Sequence, residues 1–144
     1  LLLDLNLIDK ETNKPTLVQL GVDNTSGGTR DGNDLMFATF SPDCTRVAYV
    51  RGHNIYVQDL TNTTPSCSGI VQLTADGSDT VINGTFDWVY EEEFSLYCGF
   101  RWNPDGQSIA YWQLDQTDVS IVHLINNTDS LYPTLTPIRC KLPS

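Results

Sequence analysis

The feature that most constrains the fold is a turn that occurs twice. Ser41-Pro42-Asp43-Cys44 and Asn103-Pro104-Asp105-Gly106 each lie between two apolar runs. Pro presets φ at the second turn position, and the following Asp is typical of a tight hairpin. Repetition of such hairpins indicates repeated antiparallel meanders, which are the signature of a β-propeller. The sequence therefore predicts an all-β fold.

Short strands with tight turns between them follow from the pattern around each repeat. The first complete set has four strands, predicted at 35–40, 46–50, 55–60 and 69–74. We expect antiparallel four-stranded blades, about two and a half in number, because three units of the repeat are visible. The units are a trailing half-blade at 1–21, a blade at 35–74 and a second blade at 99–141.

An insertion without strand pattern is predicted at 75–98, because Pro42 and Pro104 are about 60 residues apart and a blade takes roughly 40–50. This stretch contains Asp87-Trp88-Val89-Tyr90-Glu91-Glu92-Glu93-Phe94. Consecutive carboxylates diverge in a strand but lie ~100° apart in a helical turn, where two can face one ligand. The sequence predicts a short helical insertion that carries the glutamates, with Asp87 capping the turn.

A cationic, amine-bearing ligand suits this acidic run, since an ammonium group has three donors and a full charge. A solvated acidic turn is the alternative that the residues themselves leave open. A Ca²⁺ site is disfavoured, because calcium loops space their ligands with Gly. A glycosidase pair would need two acids on separate elements. We therefore expect no metal and no cofactor.

The charge balance limits the partners of the chain. Eight basic and 18 acidic residues give a net charge of −10, which argues against nucleic acid and anionic membrane surfaces. No apolar run is long enough for a transmembrane helix. The opening Leu1-Leu2-Leu3 lacks the charged region of a signal peptide, and no Met precedes it. We expect a piece of a longer protein.

The cysteines leave several pairings open. No Cys-x-x-Cys pair occurs and only two His are present, so a zinc site is not expected. Three disulfide connectivities remain possible for Cys44, Cys67, Cys98 and Cys140. Cys44 replaces the turn glycine seen at Gly106, so its hairpin is expected to be either strained or capped by a disulfide. Four Asn-x-Ser/Thr triplets, at Asn24, Asn62, Asn83 and Asn126, are candidate glycan acceptors in a secreted eukaryotic protein.

Several motifs together resemble the dipeptidyl peptidase IV family of the prolyl oligopeptidase clan of serine peptidases, its bacterial members most. The motifs are Asp87-Trp88-Val89-Tyr90-Glu91-Glu92-Glu93, Trp102-Asn103-Pro104-Asp105-Gly106, Ile109-Ala110-Tyr111-Trp112-Gln113 and Asn127-Thr128-Asp129-Ser130-Leu131-Tyr132-Pro133. The resemblance runs from about residue 35 to the end of the chain. It implies an N-terminal propeller segment of an enzyme that removes X-Pro and X-Ala dipeptides from free peptide N-termini.

The resemblance also implies roles for particular residues. Glu92 and Glu93 would bind the substrate amine, and the supporting residues would be Glu91, Asp87, Trp88 and Tyr90. No catalytic residue is expected here, because the chain has no Gly-x-Ser-x-Gly elbow. A C-terminal α/β-hydrolase domain of the same protein would supply the nucleophile. A non-catalytic propeller that only binds proteins is the alternative function.

Location and assembly follow from the same resemblance. It implies an extracytoplasmic protein, either periplasmic, secreted or a membrane-anchored ectodomain. It also implies a homodimer in which residues 121–142 form an extended arm. The residues at 122–124 read equally well as a plain blade strand.

Overall fold

The computed structural model describes residues 7–8, 15–16, 20–21, 35–61 and 69–140. Within the predicted half-blade at 1–21, strand β1 (Leu7–Ile8) pairs antiparallel with β2 (Pro15–Thr16). Most of that half-blade lies outside the described residues. So do Cys67 and the triplets at Asn24 and Asn62.

A four-stranded antiparallel sheet forms the centre of the described structure. Its strands lie in chain order, as a meander: β3 (Met36–Phe40), β4 (Arg46–Arg51), β5 (Asn54–Asp59) and β6 (Ile70–Gln72). The pairing of β4 with β5 is regular from Arg46 opposite Asp59 to Arg51 opposite Asn54. The predicted all-β class is confirmed, and this sheet is one antiparallel four-stranded blade.

Strand β4 is buried on both faces and so separates two apolar clusters. Successive side chains of a strand point to opposite sides. Accordingly, Val47 and Tyr49 belong to one cluster, with Leu20 and Leu60. Ala48 and Val50 belong to the other cluster, together with Ile55, Val57 and Phe100. Burial on both faces is what a blade between two neighbours requires.

The two repeated turns contact one another. The Arg46 guanidinium lies 5.4 Å from the ring centroid of Trp102 and donates to the Gly106 carbonyl at 2.5 Å. Trp102 Nε1 donates to the Thr39 carbonyl at 3.0 Å. The repeat at 102–106 is therefore fixed against the first sheet by polar contacts around a tryptophan.

The expectation that 75–98 contains no strand is wrong. Strand β7 (Val81–Asn83) lies within it and pairs antiparallel with a strand beyond the helix. The pattern was missed because β7 has only three residues, and its position depends on distant partners rather than on local periodicity. The other strands of this region are β8 (Phe100–Trp102), β9 (Ile109–Tyr111) and β10 (Gln113–Asp115).

The strands of the predicted blade at 99–141 do not form one four-stranded sheet in the described structure. Strand β8 pairs with β9, and β10 pairs with β7. The last two strands, β11 (Ile121–Asn126) and β12 (Thr134–Arg139), form a two-stranded sheet of their own. Most residues of this hairpin are exposed. The homodimer predicted to form through it stays a prediction. In the described part of the chain the single helix has seven residues, too few to cross a bilayer.

Candidate functional site

The glutamates lie on a short helix, as predicted. Helix α1 (Trp88–Phe94) begins after Asp87, whose carboxylate accepts a hydrogen bond from the Tyr90 N–H at 2.9 Å. This is the N-cap arrangement, in which an acid satisfies a donor of the first turn. The helix ends at Ser95, which has a φ of 53° and donates from its N–H to the Glu91 carbonyl at 3.1 Å.

The segment that carries the helix is closed at its base by backbone pairing. Thr85 and Cys98 form an antiparallel bridge, and the Gly99 N–H donates to the Gly84 carbonyl at 2.9 Å. Gly84 has a φ of +75°, and a Cβ there would lie 2.8 Å from Ile55 Cγ1. Only glycine fits this position, because both the backbone conformation and the close approach exclude a side chain.

Aromatic rings support the helix on one side. Tyr90 stacks on Phe86 with ring centroids 5.4 Å apart and contacts Phe94 at 5.6 Å. Phe86 also contacts Trp112, with centroids 6.4 Å apart. Tyr90 therefore packs within an aromatic stack, and its supporting role at the amine site stays a prediction. Phe86 was missed as a site residue, although it directly precedes the capping Asp87, and Trp112 was noted only within the family motif at 109–113.

The three glutamates differ in exposure. Glu92 and Glu93 are exposed and Glu91 is half-buried. Burial, together with the nearby Glu92 and Asp87 carboxylates, raises the pKa of Glu91. Trp88 is half exposed. The last turn of the helix carries no basic residue that could neutralise the acids. Glu92 and Glu93 therefore present carboxylates to solvent from adjacent positions, which suits a cationic group that donates several hydrogen bonds.

An apolar cavity lies beside the helix. Its volume is about 600 Å³, and its lining includes Tyr90 and Leu96, on and just after the helix, together with Tyr111 and Trp112. Glu92 and Glu93 are not part of this lining. Among the described residues, no group of three or more His, Cys, Asp or Glu side chains could hold a metal ion.

Two candidate modifications, a disulfide at Cys44 and a glycan at Asn83, do not agree with the structure. Cys44, Cys98 and Cys140 are free, so of the two alternatives for the Cys44 turn the disulfide cap is wrong, and the φ of 59° at Cys44 agrees with strain. Asn83, in one of the glycan-acceptor triplets, is fully buried. A glycan cannot be attached to that amide in the folded chain, because its nitrogen already donates within the protein.

The family is shown by comparison with known proteins. Residues 6–140 match the model of the dipeptidyl peptidase IV (DPP IV) N-terminal region. The chain belongs to this family. The fold of this DPP IV N-terminal segment agrees with a solved relative, the crystal structure of Porphyromonas gingivalis dipeptidyl peptidase 4. That match has a TM-score of 0.62 and 36% identity, and covers 73% of this chain and 14% of that one.

Curated relatives give the same family. Dipeptidyl peptidase 4 of Sus scrofa is 38% identical over 113 residues, which cover 77% of this chain and 14% of that protein. Dipeptidyl aminopeptidase B of Saccharomyces cerevisiae is 33% identical over 112 residues, which cover 75% of this chain and 13% of that protein. The DPP IV segment therefore spans about one seventh of the relatives that it matches.

Proposed function

We propose that Glu92 and Glu93 bind the N-terminal ammonium group of a peptide substrate. The observation that carries this proposal is the exposure of both carboxylates on a capped helix whose last turn holds no basic residue. Glu91 is half-buried and points away from at least one of the other two, because successive helical residues are ~100° apart. It therefore contributes less to the ligand than Glu92 and Glu93.

The chemistry of a peptide N-terminus fits such a pair. An α-ammonium group has a pKa of about 7.7–8.0, so it is largely charged near neutral pH. Each charge-assisted hydrogen bond contributes roughly 1.5–3 kcal/mol, which discriminates against a blocked N-terminus. Holding the amine at a fixed distance from a nucleophile also determines how many residues precede the cleaved bond.

The names of the relatives support a proposal for the activity of the longer protein. We propose a serine-type dipeptidyl peptidase that releases X-Pro and X-Ala dipeptides, with the nucleophile on a C-terminal α/β-hydrolase domain. The present segment supplies recognition of the free N-terminus rather than the reacting groups. An extracytoplasmic location and a homodimer are part of the same proposal.

A three-variant series in the full-length protein tests the amine site. We expect Glu92→Gln and Glu93→Gln each to lower kcat/KM for a dipeptide substrate by ~30- to 1000-fold, or about 2–4 kcal/mol. Each change removes the charge and nearly preserves the shape. Glu91→Gln is the matched control on the same turn, and we expect a smaller loss.

Circular dichroism and thermal unfolding should confirm that all three variants fold. If Glu91→Gln is the most damaging change, the assignment of the two binding glutamates is wrong. If all three variants retain the original kcat/KM, the acidic run is a solvated turn and the proposal fails.

A further inference from the structure

Three polar side chains at the base of the helical segment form a closed hydrogen-bonded triangle. Asn83 Nδ2 donates to Asp76 Oδ1 at 3.0 Å. Gln113 Nε2 donates to Asp76 Oδ2 at 2.8 Å and to Asn83 Oδ1 at 2.9 Å. Both oxygens of the carboxylate and both N–H groups of the Gln113 amide are therefore engaged, which fixes the orientation of each side chain.

The triangle joins segments that are far apart in the sequence. Asp76 follows the first sheet, Asn83 ends β7, and Gln113 begins β10. Asn83 also donates to the His53 carbonyl, from Nδ2 at 3.2 Å and from its backbone N–H at 3.2 Å. His53 lies in the turn between β4 and β5. The buried Asn83 thus connects the strands around the helix to the first sheet.

The position of helix α1 depends on this base. None of its seven residues is buried, and an isolated helix of this length is unstable in water. Asn83 is followed directly by Gly84, whose N–H donates to the Trp112 carbonyl at 3.0 Å. The helix begins only a few residues later. The direction of the helix is therefore set mainly by the contacts at the two ends of the segment that carries it, where that segment leaves and rejoins the sheet. The Phe86–Tyr90 stack adds to these contacts.

We propose that Asp76, Asn83 and Gln113 are positioning residues for the amine site. They fix the direction in which α1 presents Glu92 and Glu93 to the substrate, without touching the substrate themselves. This inference rests on the function proposed above. A catalytic or binding group displaced by about 1 Å can cost on the order of 100-fold in rate, so a small rotation at the base has a measurable effect.

Gln113→Glu in the full-length protein is the main test. Gln113 is exposed, so this change is milder for folding than a change at the buried Asn83. The new carboxylate faces the Asp76 carboxylate and the Asn83 oxygen, and repels both. We expect kcat/KM for a free-amine dipeptide substrate to fall about 10-fold or more, mainly through KM.

Three comparisons separate positioning from general damage. The rate of nucleophile labelling by a fluorophosphonate, which has no amine, should stay within about twofold of the original. Combining Gln113→Glu with Asp76→Asn should recover part of the loss, because the new amide can donate to the new carboxylate. Gln107→Glu is the matched control, since it makes the same change in the turn between β8 and β9, and it should have no effect.

The outcomes are distinguishable. Equal losses in substrate cleavage and fluorophosphonate labelling would overturn the inference, because they indicate general destabilisation. An unchanged kcat/KM for Gln113→Glu, alongside large losses for Glu92→Gln and Glu93→Gln, would overturn the positioning role alone. If the two glutamate variants are as active as the original protein, the proposed amine site and this inference both fail.

Discussion

Cys44 occupies a backbone conformation that favours glycine. Its φ is 59°, and Gly106, at the equivalent position of the second repeat, has a φ of 68°. The rest of the turn is held by local contacts: the Ser41 hydroxyl and the Thr45 N–H donate to Asp43 and lower its pKa to about 2. The turn therefore forms despite the strained residue, because side chains within it satisfy the backbone.

Replacing Cys44 with Gly should stabilise the protein. A non-glycine residue in the left-handed region costs roughly 1–2 kcal/mol, and glycine removes this strain. Glycine also has more conformational freedom in the unfolded chain, which offsets about 0.5–1 kcal/mol of that gain in stability. Cys44 is exposed and free, so little packing is lost. We expect Cys44→Gly to raise the free energy of unfolding by roughly 0.5–1 kcal/mol, measured by denaturant unfolding of the full-length protein.

Gly106→Cys is the reciprocal control. A Cβ at Gly106 would meet Pro42 Cδ at 3.5 Å, an ordinary contact, so its cost comes from the backbone conformation. We expect a loss of about 1 kcal/mol. A destabilised Cys44→Gly variant would show that the thiol makes a contact that compensates for the strain.

At the scale of single elements, helix α1 depends strongly on one capping side chain. The Asp87 cap accounts for a donor of its first turn, and the aromatic contacts of Tyr90 support only one side. A capping side chain contributes about 1 kcal/mol. That contribution is large compared with the intrinsic stability of a helix of seven residues, which is low.

Asp87→Ala should loosen the helix without unfolding the protein. We expect the amide hydrogens of 88–94 to exchange about fivefold faster, which corresponds to the loss of about 1 kcal/mol of cap energy. Hydrogen exchange followed by mass spectrometry on peptides that cover the helix measures this effect. A drop in kcat/KM for a free-amine substrate should accompany it.

Asp87→Asn separates the cap from the charge. Asn retains a side-chain oxygen that can accept the Tyr90 N–H, so exchange should stay near that of the original protein. Equal acceleration in both variants would instead assign the effect to the lost charge, not to the cap.

For the whole molecule, the described strands leave sheet edges without a partner strand. Within the described part of the chain, β3 and β6 are the outer strands of the four-stranded sheet. In β6 and just after it, the side chains of Val71 and Leu73 are half exposed. Unpaired edges with apolar side chains favour pairing between molecules.

The 144-residue chain expressed alone should therefore self-associate. We expect sedimentation velocity to show species larger than the monomer, and Val71→Lys to reduce them, because an edge lysine opposes strand pairing. Thr61→Lys adds the same charge at an exposed residue beyond β5 and should leave association unchanged. A monomer that melts sharply and reversibly would contradict this prediction.

Local chemistry determined much of this protein. The turns at 41–46 and 103–107, the strands beside them and the capped helix were all predictable from sequence. In each case the deciding contacts lie within a few residues: Asp43 accepts from Thr45, Asp105 from Gln107 and Asp87 from Tyr90. The family motif at 87–93 added the candidate roles of the glutamates, which stay a proposal.

Only the tertiary structure decided how the helical segment is held. Strand β7 exists because it pairs with β10, about 30 residues away, and a three-residue run carries too little propensity to reveal that. Burial of Asn83 and the approach of Gly84 to Ile55 likewise depend on distant partners. Sequence specifies contacts within a turn directly, whereas long-range pairing depends on which surfaces remain to be buried once local elements have formed.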